Sequence, residues 1–124
     1  MSIFPPITGH IIQQDLLPNE TLIENYPANM TMGWKSAGGR FALTNERLLF
    51  CPTQLDSLNE GTHWSLSRSQ IQSIEIDPPH FSPSYWLNGG LRSRLAIHAQ
   101  DGTVTYFVIS KVRSVREKLL QRLK

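Results

Sequence analysis

Apolar and polar positions in this chain mostly alternate in short runs, and such runs predict strands. Leu95-Ala96-Ile97-His98-Ala99 and Thr103-Val104-Thr105-Tyr106-Phe107-Val108-Ile109 flank Gln100-Asp101-Gly102. An Asp-Gly pair between two alternating runs predicts a type I′ hairpin, whose two central residues both take positive φ. Arg40–Thr44 and Arg47–Phe50 predict a second hairpin, opened by Gly38-Gly39 and closed by Cys51-Pro52. Its turn has Glu46 where glycine would serve best, while Asn45 tolerates the left-handed region, so a slightly longer turn is expected. Further strands are predicted over Thr21–Met30, with Pro27 demoting the far end, then His63–Leu66 and Gln70–Ile76.

Only the last segment, Lys111–Lys124, has helical spacing. Val112, Val115, Leu119, Leu120 and Leu123 fall on one side, and Arg113, Arg116, Lys118 and Arg122 largely on the other. Ser114 and Glu117 have the spacing of a capping box, which places the regular helix near Val115. A helix this short gains its stability by docking. About seven strands followed by one amphipathic helix predict a mainly β domain: a strongly bent antiparallel barrel whose open mouth the helix plugs. An OB-type barrel competes, but it has five strands and an internal helix. Residues 20–124 read as one domain. Residues 1–19 read as an arm packed on it through Ile11, Ile12, Leu16 and Leu17.

The run Gly39-x-Phe41-x-Leu43-Thr44-Asn45-x-Arg47-Leu48-Leu49-Phe50 resembles the second and third strands of the GRAM branch of the pleckstrin-homology (PH) superfold. Trp64-Ser65-Leu66-Ser67 with Ile71-x-Ser73-Ile74 resembles the fourth and fifth strands of bacterial GRAM or PH-like domains, and Asp101-Gly102, Phe107 and the terminal helix resemble their last hairpin and cap. The likeness spans roughly residues 20–123. It implies a PH-like fold and a small binding module rather than an enzyme. Membrane-binding members hold an anionic headgroup with a loop lysine followed by two basic residues one apart. Lys35 and Arg40 match the first two of these, and the third position is Ala42.

Composition narrows the reading further. The 124 residues are 40% hydrophobic and 18% charged, an ordinary globular balance. A single cysteine, Cys51, excludes an internal disulfide framework and reads as a buried strand residue. No apolar run reaches the ~20 residues that span a bilayer. Met1–Pro6 has neither the basic start nor the apolar stretch of a secretory signal, so a cytoplasmic protein is expected, peripheral on the cytosolic face where it meets a membrane. The net charge of +2 is polarised: residues 91–124 carry eight basic and two acidic side chains, and residues 1–90 carry four and eight. Such asymmetry biases association with an anionic surface.

Two candidate surfaces follow. Trp34, Lys35 and Arg40 in a pliable segment between Met30 and Arg40, extended by Arg92 and Arg94, fit an anionic lipid interface, with Trp34 at the apolar boundary or folded back over the barrel. Phe81, Tyr85 and Trp86 fit a protein-interaction surface, and an open sheet edge would suit self-assembly into a homo-oligomer. His10, His63, His80 and His98 are scattered, and no metal-ligand spacing, phosphate loop or nucleophile elbow appears, so neither catalysis nor a metal or other cofactor is expected. Basic and aromatic residues are not interleaved as nucleic-acid stacking platforms require, so the expected partner is an anionic phospholipid surface or a protein.

Overall fold

A computed structural model describes residues 16–32, 35–52, 63–80 and 92–124. Among these residues seven strands, β1 (Leu22–Met32), β2 (Lys35–Thr44), β3 (Arg47–Pro52), β4 (Trp64–Ser67), β5 (Ile71–Asp77), β6 (Arg94–Ala99) and β7 (Val104–Val108), precede the terminal helix α1 (Val112–Leu123). All pairings are antiparallel and form one sheet in the order β4-β3-β2-β1-β7-β6-β5. Among the described residues the sheet is not closed: β4 and β5 are its two edges. A 3₁₀ turn, Arg68–Gln70, joins them.

The bend shows in the aromatic core. β4 and β7 stand four places apart in the strand order, roughly 19 Å in a flat sheet. Yet Trp64 of β4 lies 5.1 Å from Phe107 of β7, ring centre to ring centre, in an edge-on contact. Phe41 lies 4.7 Å from Phe107 and Phe50 5.7 Å. The sheet therefore curls until its two halves share one interior. Alternation supplies the side chains: Phe41 opposes Phe50 and Leu43 opposes Leu48 across β2 and β3, all fully buried. Val112, Val115 and Leu119 of α1 complete this core, with Leu120 and Leu123 half-buried beside it. On the opposite face of the sheet Ala42, Leu49 and Cys51 form a second buried group, against which Leu16 packs.

Three local expectations are corrected. The described residues between Met30 and Arg40, 30–32 and 35–40, are strand rather than loop: Met30 pairs with Ala37 and Met32 with Lys35, so β1 runs on past Pro27. β7 pairs with β1 only at Asn29 and Met30, which leaves Pro27 with a partner strand on one side alone. The Asp101-Gly102 turn is not type I′, because only Gly102 has positive φ (93°). The Gly102 N–H donates to Ala99 O and the Ala99 N–H to Thr103 O, which makes a three-residue loop with the bulge that Gly102 permits. Thr103 binds the Asp101 carboxylate through both its N–H and its hydroxyl. Finally, α1 begins at Val112 behind a left-handed Lys111 (φ 55°), and no side chain caps it. Ser114 already lies inside the first turn, so the capping box does not form.

The turn between β2 and β3 solves its geometry with a side chain instead of positive φ. The Thr44 hydroxyl accepts the N–H groups of Glu46 (3.1 Å) and Arg47 (3.0 Å) and donates to Glu20 (2.6 Å). Such hydroxyl-to-backbone bonds substitute for a glycine turn. Glu20, its side chain fully buried, also accepts the Leu17 N–H (2.8 Å) and the Arg47 guanidinium (2.8 and 3.0 Å). Asn45 accepts the Thr21 N–H (2.7 Å) and donates to Asn19 O. The motif Thr44-Asn45-x-Arg47 thus fastens the approach to β1 onto the β2–β3 turn. The bond from Arg47, followed by those from Thr44 and Leu17, outweighs burial and holds the Glu20 carboxyl down at about 2.

Candidate anion-binding site

The strand pairings bring the start of β6, the end of β7, the end of β1 and the start of β2 to one end of the sheet. Arg94 opposes Asp77, Leu95 opposes Phe107, Phe107 opposes Met30, and two residues beyond Met30 the hairpin ends at Met32 and Lys35. The chain then leaves β7 and turns into α1 through Ser110 and Lys111. An open cleft of about 550 Å³ lies there, lined among the described residues by Arg92 and Ser93 from the approach to β6, Ile109, and Lys111, Val112, Arg113 and Ser114 from the helix start.

The cleft is cationic. Arg92, Lys111 and Arg113 are exposed, and none forms an ion pair among the described residues. No acidic side chain is among the described residues of its wall, and none stands in the first turn of α1. That turn presents N–H groups without intrahelical partners and the positive end of the helix dipole. Ser93 and Ser114 add hydroxyl donors, while Ile109 and Val112 give an apolar floor. Several converging charge-assisted hydrogen bonds suit a multivalent oxyanion such as a phosphate group. Neither serine has a histidine or carboxylate beside it among these described lining residues.

Beneath the cleft lies a different use of charge. Arg94 is 3% exposed; its Nε and Nη2 donate to Asp77 (3.0 and 2.8 Å) and its Nη1 to Thr31 (3.2 Å). Its guanidinium also sits 4.2 Å from the centre of the Tyr106 ring. His80 Nε2 lies 3.1 and 3.2 Å from the two Asp77 oxygens. This group ties β5, β6 and the end of β1 together. Arg94 is therefore a brace within the sheet rather than part of the exposed cluster.

The other candidates scatter. Lys35 opens β2 at the cleft end of the sheet. Arg40 stands five residues along the same strand, roughly 17 Å away. It is half-buried opposite Cys51, and its buried Nε has no hydrogen-bond partner; Asn25 Oδ1 on neighbouring β1 is buried and unpartnered as well. Lys35 and Arg40 thus occupy separate positions along one strand. Trp34, Phe81, Tyr85 and Trp86 lie outside the described residues. Sequence reasoning counted Lys111 and Arg113 in the charge balance but missed them as site residues. Their spacing reads as the exposed face of a helix, and only the fold shows that its start meets Arg92.

Among the described residues no three His, Cys, Asp or Glu side chains converge as a metal site, and no helix is long and apolar enough to cross a membrane. Comparison with known proteins gives no matching family model and no matching curated protein. Seven solved chains match by structure. One is the crystal structure of the C-terminal domain of an unknown protein from Leishmania infantum, with a TM-score of 0.64, 13% identity and 84% of each chain covered. At that identity the likeness speaks for the fold alone.

Proposed function

We propose that this chain is a non-catalytic, GRAM/PH-like binding module that associates peripherally with an anionic phospholipid surface through the cationic end of its sheet. The observation that carries this reading is the convergence of Arg92, Lys111 and Arg113 around an open cleft whose described wall holds no carboxylate. Lys35 opens β2 at the same end. Exposed cations near an anionic leaflet each add about 1 kcal/mol, so Arg92, Lys111 and Arg113 together give weak, salt-sensitive binding rather than a permanent anchor. The polarised charge of the chain orients this end toward such a surface.

Co-sedimentation with phosphatidylserine-containing vesicles tests it. Binding is expected at low ionic strength, falling as salt rises, and lost in the Arg92→Glu/Arg113→Glu variant, which touches no core residue. Binding that ignores salt, or that survives both substitutions, refutes this reading.

A further inference from the structure

We propose that Ser114 is a phosphorylation site, and that a phosphoryl group there fills the cationic cleft from within and closes it to other anions. The release from a membrane that follows rests on the reading above; the filling of the cleft does not.

The fold sets Ser114 among the cations and leaves it accessible. Val112 and Val115 are buried in the core and hold the first turn of α1 in place, while Arg113 and Ser114 between them are exposed. Ser114 therefore shares the cleft wall with Arg113 and Lys111 of its own segment and with Arg92 from the approach to β6. Ser93, the other hydroxyl of this wall, is half-buried, so Ser114 is the more open of the two.

The step takes the γ-phosphoryl group of a nucleoside triphosphate, delivered by a protein kinase. A P–O bond forms to Ser114 Oγ as the bond to the departing nucleoside diphosphate breaks, and the hydroxyl proton passes to the kinase's base. The product carries a charge of about −1.5 to −2 at neutral pH and three strong acceptor oxygens. Such a group orders its surroundings opposite an arginine cluster and disrupts them beside carboxylates. Arg92, Lys111 and Arg113 supply the cluster, and no described residue of the wall is acidic. Glu117 and Lys118, one turn along α1, are of opposite sign and offset each other. A guanidinium binds a phosphate with two parallel hydrogen bonds, so Arg92 and Arg113 are the natural partners. The three positive charges of the cleft would then fall to about one, and with them the attraction to an anionic leaflet.

The full chain with phosphoserine encoded at position 114 tests this beside the unmodified protein and Ser114→Ala, each checked for folding by circular dichroism. Co-sedimentation with phosphatidylserine-containing vesicles is expected to weaken at least about tenfold on phosphorylation and to stay unchanged in Ser114→Ala. Followed by ³¹P NMR, the phosphoserine is expected to titrate below its ordinary midpoint of about 6, and to return toward it with Arg92→Gln/Arg113→Gln. Vesicle binding indifferent to the phosphate, or a ³¹P midpoint indifferent to both substitutions, overturns the proposal. Should the unmodified protein ignore vesicles, the membrane reading fails, and the ³¹P titration alone decides whether the phosphate fills the cleft. Mass spectrometry of the protein from its native cells is expected to find phosphate on Ser114, and its absence there overturns the assignment.

Discussion

Replacing Glu20 by glutamine tests whether the Thr44-Asn45-x-Arg47 motif is a structural lock. The wild-type carboxylate is fully buried, accepts four hydrogen bonds and pairs with Arg47 at 2.8 Å. Its carboxyl is held at about 2 against an ordinary 4.5, which corresponds to roughly 3 kcal/mol at about 1.36 kcal/mol per unit. The Arg47 side chain is 19% exposed, so solvent screens part of this, and about 2 kcal/mol is expected to remain. Glutamine keeps one acceptor oxygen but turns an amide N–H₂ toward groups that are already donors. The depressed carboxyl contributes stability that is complete above its unfolded value near 4.5 and is lost as pH falls toward 2. Urea unfolding of both proteins at pH 7 should therefore differ by about 2 kcal/mol, and at pH 3 the gap should narrow. A difference below about 1 kcal/mol at pH 7, or one unchanged at pH 3, refutes the reasoning.

Other expectations rest on separate parts of the fold. Phe107→Ala removes the ring shared by Phe41, Phe50 and Trp64 and should cost about 3–5 kcal/mol in chemical unfolding. Gly39→Ala places a Cβ against Cys51 O, 2.7 Å from Pro52 Cα and 2.9 Å from Phe50 Cζ, so thermal melting should show a loss of at least about 1–3 kcal/mol. Asp77→Asn deprives the buried Arg94 of its counter-charge; a loss of about 3 kcal/mol is expected, and Asp77→Leu with Arg94→Met should recover much of it in the same unfolding assay.

Much of the architecture was legible because its causes are local. Alternation in Leu95–Ala99 and Val104–Val108, the apolar runs on either side of Asn45-Glu46, and the spacing of Val112, Val115 and Leu119 each reflect a period the backbone imposes, so strands, helix and their order followed from the sequence. Gly102 marked a turn correctly, but a three-residue loop needs one positive φ where type I′ needs two, and composition alone does not separate them. The stretch from Met30 to Arg40 read as a loop because its glycines weaken strand propensity; long-range pairing with β1 and β3 overrides that.

The sites divide along the same line. Sequence alone determined that positive charge gathers after residue 90 and that a helix carries much of it. Only the tertiary structure decided which of those charges face solvent together. Arg92 and Arg94 are two residues apart and looked equivalent, yet one rims an open cleft while the other is spent on Asp77 and Tyr106. The reason is that burial and counter-charge are set by residues distant along the chain, and curvature of the sheet, not spacing, brings them into contact.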